Sequence, residues 1–249
     1  MGKLLSAVDG EPLFALDVTH YRSLMGALQH ITLIRPEISF AVNRACQYMA
    51  HPTISHLQAA KRIQRYLTHG LSIHASPSWS LQGYTDADWA SCPDDRRSTS
   101  GFYLLFFGTN LISWSSTKQR VVSPSSAKSE YRVLALLAAE VSWVHFRLKE
   151  LCIPQPDTPL IWCDNISVIA LATNSIFHAR SKHIEIDFHF VHDKVLHKEL
   201  LIKYFPSTNQ LADVFTKHVP SCQFLAARTC LSDVPRPISL REDDRQTPA

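Results

Sequence analysis

The stretch Tyr84-Thr85-Asp86-Ala87-Asp88-Trp89 decides the fold of this chain, because a short apolar run ends there in two carboxylates. Leu81, Gly83 and Tyr84 form this apolar run, which we interpret as a strand, and the acids follow where that strand should end. A single Asp at a strand end proves little, since Asp often terminates a strand and begins a turn. The pattern becomes informative only if further acids occur at the ends of other elements.

Three later carboxylates meet that condition: Glu130, Asp164 and Asp213. Glu130 lies in the first turns of a long apolar helix, one turn before Leu134 on the face that should be buried. An ionised carboxylate there needs a cation or hydrogen bonds as compensation. Asp164 follows the apolar run 160–163, and Asp213 opens a short helix. Four acids with few basic neighbours indicate a site for cations.

The hydrophobic periodicity predicts an α/β fold with a mixed five-stranded sheet and flanking helices. A long helix separates the third and fourth strands, so the fourth can return parallel to the first. Asp86 and Asp164 should then lie side by side at the carboxyl ends of two strands, where open α/β sheets bind ligands. The predicted elements are strands ending at 86 and spanning 101–107 and 111–115, helix 126–151, strand 160–163, helices 165–174 and 184–196, strand 200–205, and a short helix from 209.

A small helical region precedes the sheet, and Thr53 is a plausible N-cap of its third helix. Lys61, Arg62 and Arg65 lie off the apolar stripe of that helix. They could hold a phosphate backbone, although a solvated helix face explains them equally well. We predict an extended lead over 1–18, a helical region over 19–75, the sheet domain over 79–218 and a mobile tail over 219–249.

The composition describes a globular protein, with 249 residues of which 45% are hydrophobic. A net charge of +3 permits a nucleic-acid partner without requiring one. The six cysteines include no C-x-x-C pair, which argues against a zinc ribbon and a disulfide scaffold, and we expect reduced thiols. The longest apolar run, 133–139, is too short to cross a bilayer, and no signal peptide is evident. We therefore expect a soluble, cytoplasmic protein with no membrane partner.

Six segments of the sequence form an ordered set: YTDADWASCPDDRRSTSGFYLLF, NLISWSSTKQ, SSAKSEYRVLA, WCDN, HARSKHIEIDFHFV and STNQLADVFTK. Together they resemble the ribonuclease H domain of copia-type long-terminal-repeat retrotransposon Pol polyproteins, and the resemblance covers roughly residues 20–218. The helical segment YRSLMGALQHITLIRPEISFAVN resembles the end of the reverse transcriptase region, which precedes the ribonuclease H domain in that family.

The resemblance implies a metal-dependent endonuclease that hydrolyses the RNA strand of RNA/DNA hybrids during reverse transcription. The catalytic metal ligands would be Asp86, Glu130, Asp164 and Asp213, with Asp187 as a competitor for the fourth position. Two Mg²⁺ ions would be the cofactor, and Mn²⁺ should substitute, because both prefer oxygen ligands. The partners would be the hybrid and the rest of the polyprotein, in the cytoplasm, a virus-like particle or the nucleus.

Auxiliary roles can be assigned only as candidates. Contacts to the ribose 2′-OH, which distinguishes RNA from DNA, could come from Ser98, Thr99, Gln119 and Asn165. His183 could assist proton transfer, or it could simply pair with Asp187 one turn later.

Competing interpretations explain parts of the same sequence. Five histidines between 178 and 197 could bind zinc, but a histidine-rich amphipathic helix accounts for them as well. Four tryptophans could stack on bases, although their apolar neighbours suggest that most of them belong to the core. Pro124 and Lys128-Ser129 depart from the family pattern near Glu130. These departures motivate the alternative of a decayed retrotransposon remnant that only binds nucleic acid or has no selected activity.

Overall fold

The computed structural model describes residues 5–8, 10–65, 69–174, 185–231 and 233–235. The chain begins with a helical region of α1 (Ala15–Ile31), a 3-10 turn (Pro36–Ile38), α2 (Ser39–Cys46) and α3 (Ile54–Gln64). These helices pack on one another around a shared apolar core, whose buried side chains include Tyr21, Met25, Leu28, Val42, Leu57 and Ile63. A short strand, β1 (His69–Leu71), follows them.

The helix boundaries differ in detail from the prediction. The extended lead is shorter than expected, because α1 begins at Ala15, and Asp17 in its first turn complements the helix dipole. The second helix begins as a 3-10 turn at Pro36, whose ring favours the start of a helix, and ends at Cys46. Thr53 is the N-cap of α3 as predicted, and its N–H donates to His56 Nδ1 at 3.0 Å.

The sheet elements follow in the predicted order. They are β2 (Gln82–Asp88), β3 (Thr99–Phe106), β4 (Asn110–Lys118), α4 (Ser126–Glu150), β5 (Leu160–Cys163), α5 (Ile166–Thr173), α6 (Glu185–Leu196) and β6 (Leu201–Tyr204). The five strands are arranged β4-β3-β2-β5-β6. β2 pairs antiparallel with β3 and parallel with β5, so the predicted mixed five-stranded sheet is confirmed.

Both faces of the sheet are covered, which explains why every residue of β3 is buried. Phe102, Leu104 and Phe106 lie in the same core as the long helix α4. Tyr103 and Leu105 alternate with them and pack on the opposite face, with side chains from the end of the chain. This alternation is the two-residue period of a strand.

The helix α4 packs closely on β2. Gly83 makes this approach possible, since a Cβ at that position would lie 2.6 Å from Leu137 Cδ2. The apolar stripe of α4 is buried from Leu134 to Leu148. Leu151, the last residue of the predicted helix, is 69% exposed because the helix ends one residue earlier. Pro124 is exposed and precedes the N-cap Ser125, outside the helix.

The end of the chain departs most from the prediction. Two 3-10 helices, Ser207–Asn209 and Leu211–Phe215, replace the expected α-helix from 209. The mobile tail predicted from 219 contains α7 (Ser221–Cys230), and β7 (Asp233–Pro235) pairs antiparallel with β1. Among the described residues of this segment, Ala227 and Leu231 are buried, and two buried side chains are too few for a visible period.

None of the helices in the described part of the chain is both long enough and apolar enough to span a membrane.

Candidate metal centre

Two of the predicted metal ligands lie at the carboxyl ends of neighbouring parallel strands. The register of β2 and β5 pairs Tyr84 with Trp162, so Asp86 and Asp164 stand side by side two residues later. Asp86 comes from the central strand and is only 3% exposed. The tertiary structure therefore brings together the two acids that the strand order predicts to be neighbours.

Glu130 reaches the same place from the first turns of α4. Three atoms lie within 4.8 Å of one another: a carboxylate oxygen of Glu130, a carboxylate oxygen of Asp164 and Cys163 Sγ. Burial, with the charges of Asp164 and Asp86, raises the pKa of Glu130 to about 7, although a hydrogen bond from Asn165 opposes the rise. Glu130 Oε2 is buried and has no hydrogen-bond partner. A buried carboxylate oxygen of this kind is open to a cation.

Cys163 is not the natural partner for such a cation. Burial raises the pKa of its thiol to about 12, so the sulfur keeps its proton at neutral pH. Only the thiolate is a good metal ligand. The carboxylates are therefore the ligands that the site offers.

Asp213 joins the cluster from the 3-10 helix Leu211–Phe215. Burial and the charges of Asp86 and Asp164 raise its pKa to about 6, while Lys217 acts in the opposite direction. These mutual effects show that Asp213 lies within electrostatic reach of both strand-end acids. Asp187, the competitor for this position, is half-buried on α6, where the charge of Arg132 opposes a burial-driven rise of its pKa.

Lys217 and Thr216 were not predicted, yet both contact Asp86. Lys217 Nζ lies 3.1 Å from Asp86 Oδ1 and 3.0 Å from Asp213 Oδ1. The hydroxyl of Thr216 donates to Asp86 Oδ2. Burial lowers the pKa of Lys217, but the charges of Asp86 and Asp213 outweigh it and raise that pKa overall. The available signal was the motif LADVFTK, in which the lysine follows the aspartate by one helical turn.

The turn that carries these residues is attached to the sheet at several points. Gln210 Nε2 donates to the carbonyl of Thr85 at 3.1 Å, and Ser116 Oγ donates to the carbonyl of Phe215 at 2.6 Å. Gly101, which pairs with Asp86 in the sheet, leaves room for the turn. A Cβ on Gly101 would lie 2.5 Å from Thr216 Cγ2.

Three of the predicted ribose contacts lie inside the protein. Ser98 is fully buried, and its Oγ accepts a hydrogen bond from the N–H of Ala90 at 3.1 Å. Thr99 is 6% exposed and Gln119 is 8% exposed. Gln119 donates to the carbonyl of Ser129 at 2.9 Å. Their polar groups stabilise the loops beside the sheet and face away from solvent in this structure.

Asn165 is the ribose candidate that remains at the acid cluster. It caps α5, and its Oδ1 accepts from the N–H of Ser167 at 2.9 Å and of Val168 at 3.3 Å. Its side chain also forms the hydrogen bond that lowers the pKa of Glu130. Asn165 is half-buried.

The remaining candidates lie elsewhere or outside the described ranges. Lys61 and Arg62 are exposed on α3, and the exposed Arg65 directly follows that helix. Helix α3 packs against α1 and α2. The structure therefore places them on the helical region and not among the acids. His183 lies outside the described residues, so its role stays a prediction.

The alternative interpretations can be compared with the same structure. Within the described ranges, the group of potential metal ligands consists of Glu130, Cys163 and Asp164 and contains no histidine. His192 and His197 instead hydrogen-bond to main-chain carbonyls. His178 and His183 lie outside those ranges.

The tryptophans are less buried than predicted. Trp89 is 48% exposed and Trp143 is 56% exposed, so the interpretation of most tryptophans as core residues is wrong for these two. Trp89 lies at the end of β2 and donates its Nε1–H to the carbonyl of Ser123, which leaves much of its ring at the surface. Trp114 and Trp162 are partly buried.

A mixed sheet in the order β4-β3-β2-β5-β6, with acids at the ends of its central strands, defines the ribonuclease H-like fold class. The chain is 43% identical over 212 residues to the retrovirus-related Pol polyprotein from transposon RE1 of Arabidopsis thaliana. That match covers 84% of this chain and 14% of the relative. The Pol polyprotein from transposon TNT 1-94 of Nicotiana tabacum is 34% identical over 208 residues, which cover 82% of this chain and 16% of that protein.

The homologues of this chain are copia-type retrotransposon Pol polyproteins, as its sequence motifs predicted. It spans about one seventh of the length of the curated relatives RE1 and RE2, since 14% of each is matched. Among solved structures, LC11-RNase H1, isolated from compost by a metagenomic approach, matches 56% of this chain and 94% of its own, with 14% identity and a TM-score of 0.43. No protein-family model matches the chain.

Proposed function

We propose that this chain is a divalent-metal-dependent endonuclease that hydrolyses the RNA strand of RNA/DNA hybrids during retrotransposon reverse transcription. The convergence of Asp86, Glu130, Asp164 and Asp213 at one edge of the sheet carries this proposal. Retrotransposon Pol relatives over most of the chain support it, because reverse transcription leaves hybrids that must be cleared.

The residues present fit a pair of hard divalent cations. The donor set consists of carboxylate oxygens, and one of them, Glu130 Oε2, is buried without a partner. Two Mg²⁺ ions would supply an activated water and charge relief on the leaving 3′ oxygen, and Mn²⁺ should substitute for them. Asp86, Glu130, Asp164 and Asp213 would hold these ions.

The protein's own contribution is to hold the carboxylates in place before substrate arrives. Thr216 orients Asp86 through Oδ2, which leaves Oδ1 to face the cluster. Asn165 stands beside Glu130 at the rim and is the group best placed to contact a ribose. Preorganised groups of this kind cost no rearrangement during the reaction.

A cleavage assay with labelled substrates tests the proposal. The purified chain should cut RNA in a hybrid in the presence of Mg²⁺ and spare single-stranded RNA and duplex DNA. Asp86→Asn should abolish cleavage and leave hybrid binding intact or slightly stronger, since the change removes one charge that repels phosphate. Asp157→Asn is the matched control, because Asp157 is an exposed acid in the loop before β5.

Two results would contradict the nuclease assignment. Equal cleavage of all three substrates would exclude specificity for hybrids, and undiminished activity of Asp86→Asn would exclude this metal centre. Hybrid binding without any cleavage would favour the decayed remnant. The remaining parts of a Pol polyprotein are the proposed protein partner, and we propose the cytoplasm, a virus-like particle or the nucleus as the place of action.

A further inference from the structure

Lys217 occupies the position between two carboxylates where a bound cation would compensate their charge. Its Nζ is nearly equidistant from Asp86 Oδ1, at 3.1 Å, and Asp213 Oδ1, at 3.0 Å. Contact with Asp213 follows from local geometry, since the two residues are four apart along the chain. Contact with Asp86 does not, because 131 residues separate Lys217 from the central strand.

The second oxygen of Asp86 is engaged separately. Oδ2 accepts the hydroxyl hydrogen of Thr216, so Oδ1 is the oxygen that remains for a cation. Lys217 therefore holds the oxygens of Asp86 and Asp213 that a divalent ion bridging these residues would need. A protonated amine has no lone pair to offer a metal, and like charges repel at such short distances.

The lysine side chain is in contact with solvent at this position. It is 38% exposed, whereas the Asp86 side chain is 4% exposed. A lysine has a flexible four-carbon stem and a strongly hydrated head group, so its ammonium can move into water while the carboxylates stay in place.

We propose that Lys217 is a built-in counter-ion, which holds the Asp86–Asp213 position in the metal-free protein and is displaced when a divalent cation binds there. Lys217 thereby sets the metal concentration at which this position fills. This role rests on the proposed function only in requiring a divalent-cation site, and it does not require hydrolysis.

Metal binding can be measured directly with Mn²⁺ as the probe, by calorimetric titration of the full chain. Lys217→Met keeps the length of the stem and removes the charge, so the ammonium no longer competes with Mn²⁺ for the carboxylates. The dissociation constant of Mn²⁺ should fall by about tenfold, which corresponds to the loss of one charged hydrogen bond. The melting temperature of this variant should fall in EDTA, because Asp86 and Asp213 then repel without compensation. Mg²⁺ should raise that temperature more than it does in the wild type.

Two further variants make the experiment decisive. Lys217→Arg keeps the charge and can bridge both carboxylates with its planar fork, so Mn²⁺ should bind more weakly than to the wild type. Lys203→Met is the matched control, because Lys203 is an exposed lysine on β6, and its Mn²⁺ affinity should equal that of the wild type.

Unchanged Mn²⁺ affinity in folded Lys217→Met would overturn the counter-ion role, as would the absence of Mn²⁺ binding in both this variant and the wild type. If Lys217→Met fails to fold, Lys217→Arg decides, and Mn²⁺ binding equal to or tighter than that of the wild type would overturn the role.

Hybrid cleavage is measured on the same preparations. The expected affinity changes without cleavage would contradict the proposed nuclease function alone, whereas cleavage with unchanged affinities would contradict the role of Lys217 alone.

Discussion

At the scale of single residues, Glu130 is the acid whose ionisation depends most clearly on its surroundings. Its pKa is raised from 4.5 to about 7, first by burial and then by neighbouring acids. A carboxyl group with a raised folded-state pKa binds its proton more tightly in the folded than in the unfolded protein. As the pH rises from 4.5 to about 7, Glu130 loses its proton in the unfolded protein before it does so in the folded protein. The metal-free protein therefore becomes less stable over this pH range.

The change Glu130→Gln should remove this pH dependence. In EDTA, the wild type should lose about 2 kcal/mol of unfolding free energy relative to the variant between about pH 5 and pH 8. Urea unfolding at several pH values measures the difference. Mg²⁺ should flatten the wild-type curve, because a bound cation favours the ionised form. Parallel curves for the two proteins in EDTA would show that Glu130 ionises normally.

The fourth metal ligand is the second matter decided by individual residues. Asp213 interacts with Asp86 and Asp164, whereas Asp187 lies near Arg132 on another helix. Asp213→Asn should reduce the cleavage rate by about tenfold to a hundredfold and require more Mg²⁺. Asp187→Asn should change stability by about 0.5–2 kcal/mol and leave the Mg²⁺ dependence unaltered. Cleavage measured against Mg²⁺ concentration separates them, and the opposite pattern would reverse the assignment.

At the scale of elements, the turn from Leu211 to Lys217 determines whether the site is complete. It approaches β3 at Gly101, where a Cβ would lie 2.5 Å from Thr216 Cγ2 and 2.8 Å from Phe215 Cβ. The backbone of Gly101 is in an ordinary strand conformation, so the requirement for glycine is one of space. A side chain there would push the turn away from Asp86.

Gly101→Ala should therefore destabilise the protein by about 1–3 kcal/mol, the usual cost of overpacking, and lower Mn²⁺ affinity as well. Thermal unfolding and Mn²⁺ titration measure the two effects. Gly26→Ala is the control, because a Cβ at Gly26 would meet nothing within 4 Å. Since Gly26 lies inside α1, that change should stabilise the protein by about 0.5–1 kcal/mol. If Gly101→Ala bound Mn²⁺ as tightly as the wild type, the turn from Leu211 to Lys217 would be able to accommodate the extra methyl group, and the prediction would be wrong.

At the scale of the whole molecule, the helical region supports the metal centre and is not merely a neighbour of it. Helix α2 packs against β4 and against the 3-10 helix Leu211–Phe215. Phe40 of α2 makes an edge-on contact with the ring of His218, with 5.1 Å between ring centroids. Asn43 donates a hydrogen bond to the carbonyl of Ser116. His218, the residue after Lys217, is thus held in place by a contact with the helical region.

Phe40→Ala should cost about 3–5 kcal/mol if the cavity does not collapse, and it should loosen the segment around His218. Hydrogen exchange of the backbone amides of residues 216–218 should become faster than exchange in β5. Phe14→Ala is the control, because Phe14 is 83% exposed, and it should stay within about 0.5 kcal/mol of the wild type. Unchanged exchange at 216–218 would indicate that the helical region does not support the site.

The sequence by itself determined the order of the strands and helices, the boundaries of β5 at Leu160–Cys163 and the adjacency of Asp86 to Asp164. These features follow from short-range periodicity and from the geometry of parallel strands, both of which are written in neighbouring residues. The fold class could be predicted for the same reason, whereas the family was predicted from the resemblance of its motifs.

The tertiary structure alone decided which polar side chains face the site. Ser98 and Gln119 are polar, as Asn165 is, but packing of the loops beside the sheet buries both of them and leaves Asn165 beside Glu130. The contact of Lys217 with Asp86 likewise spans 131 residues. No local pattern encodes burial or contact over such separations, because both arise only when distant elements pack against one another.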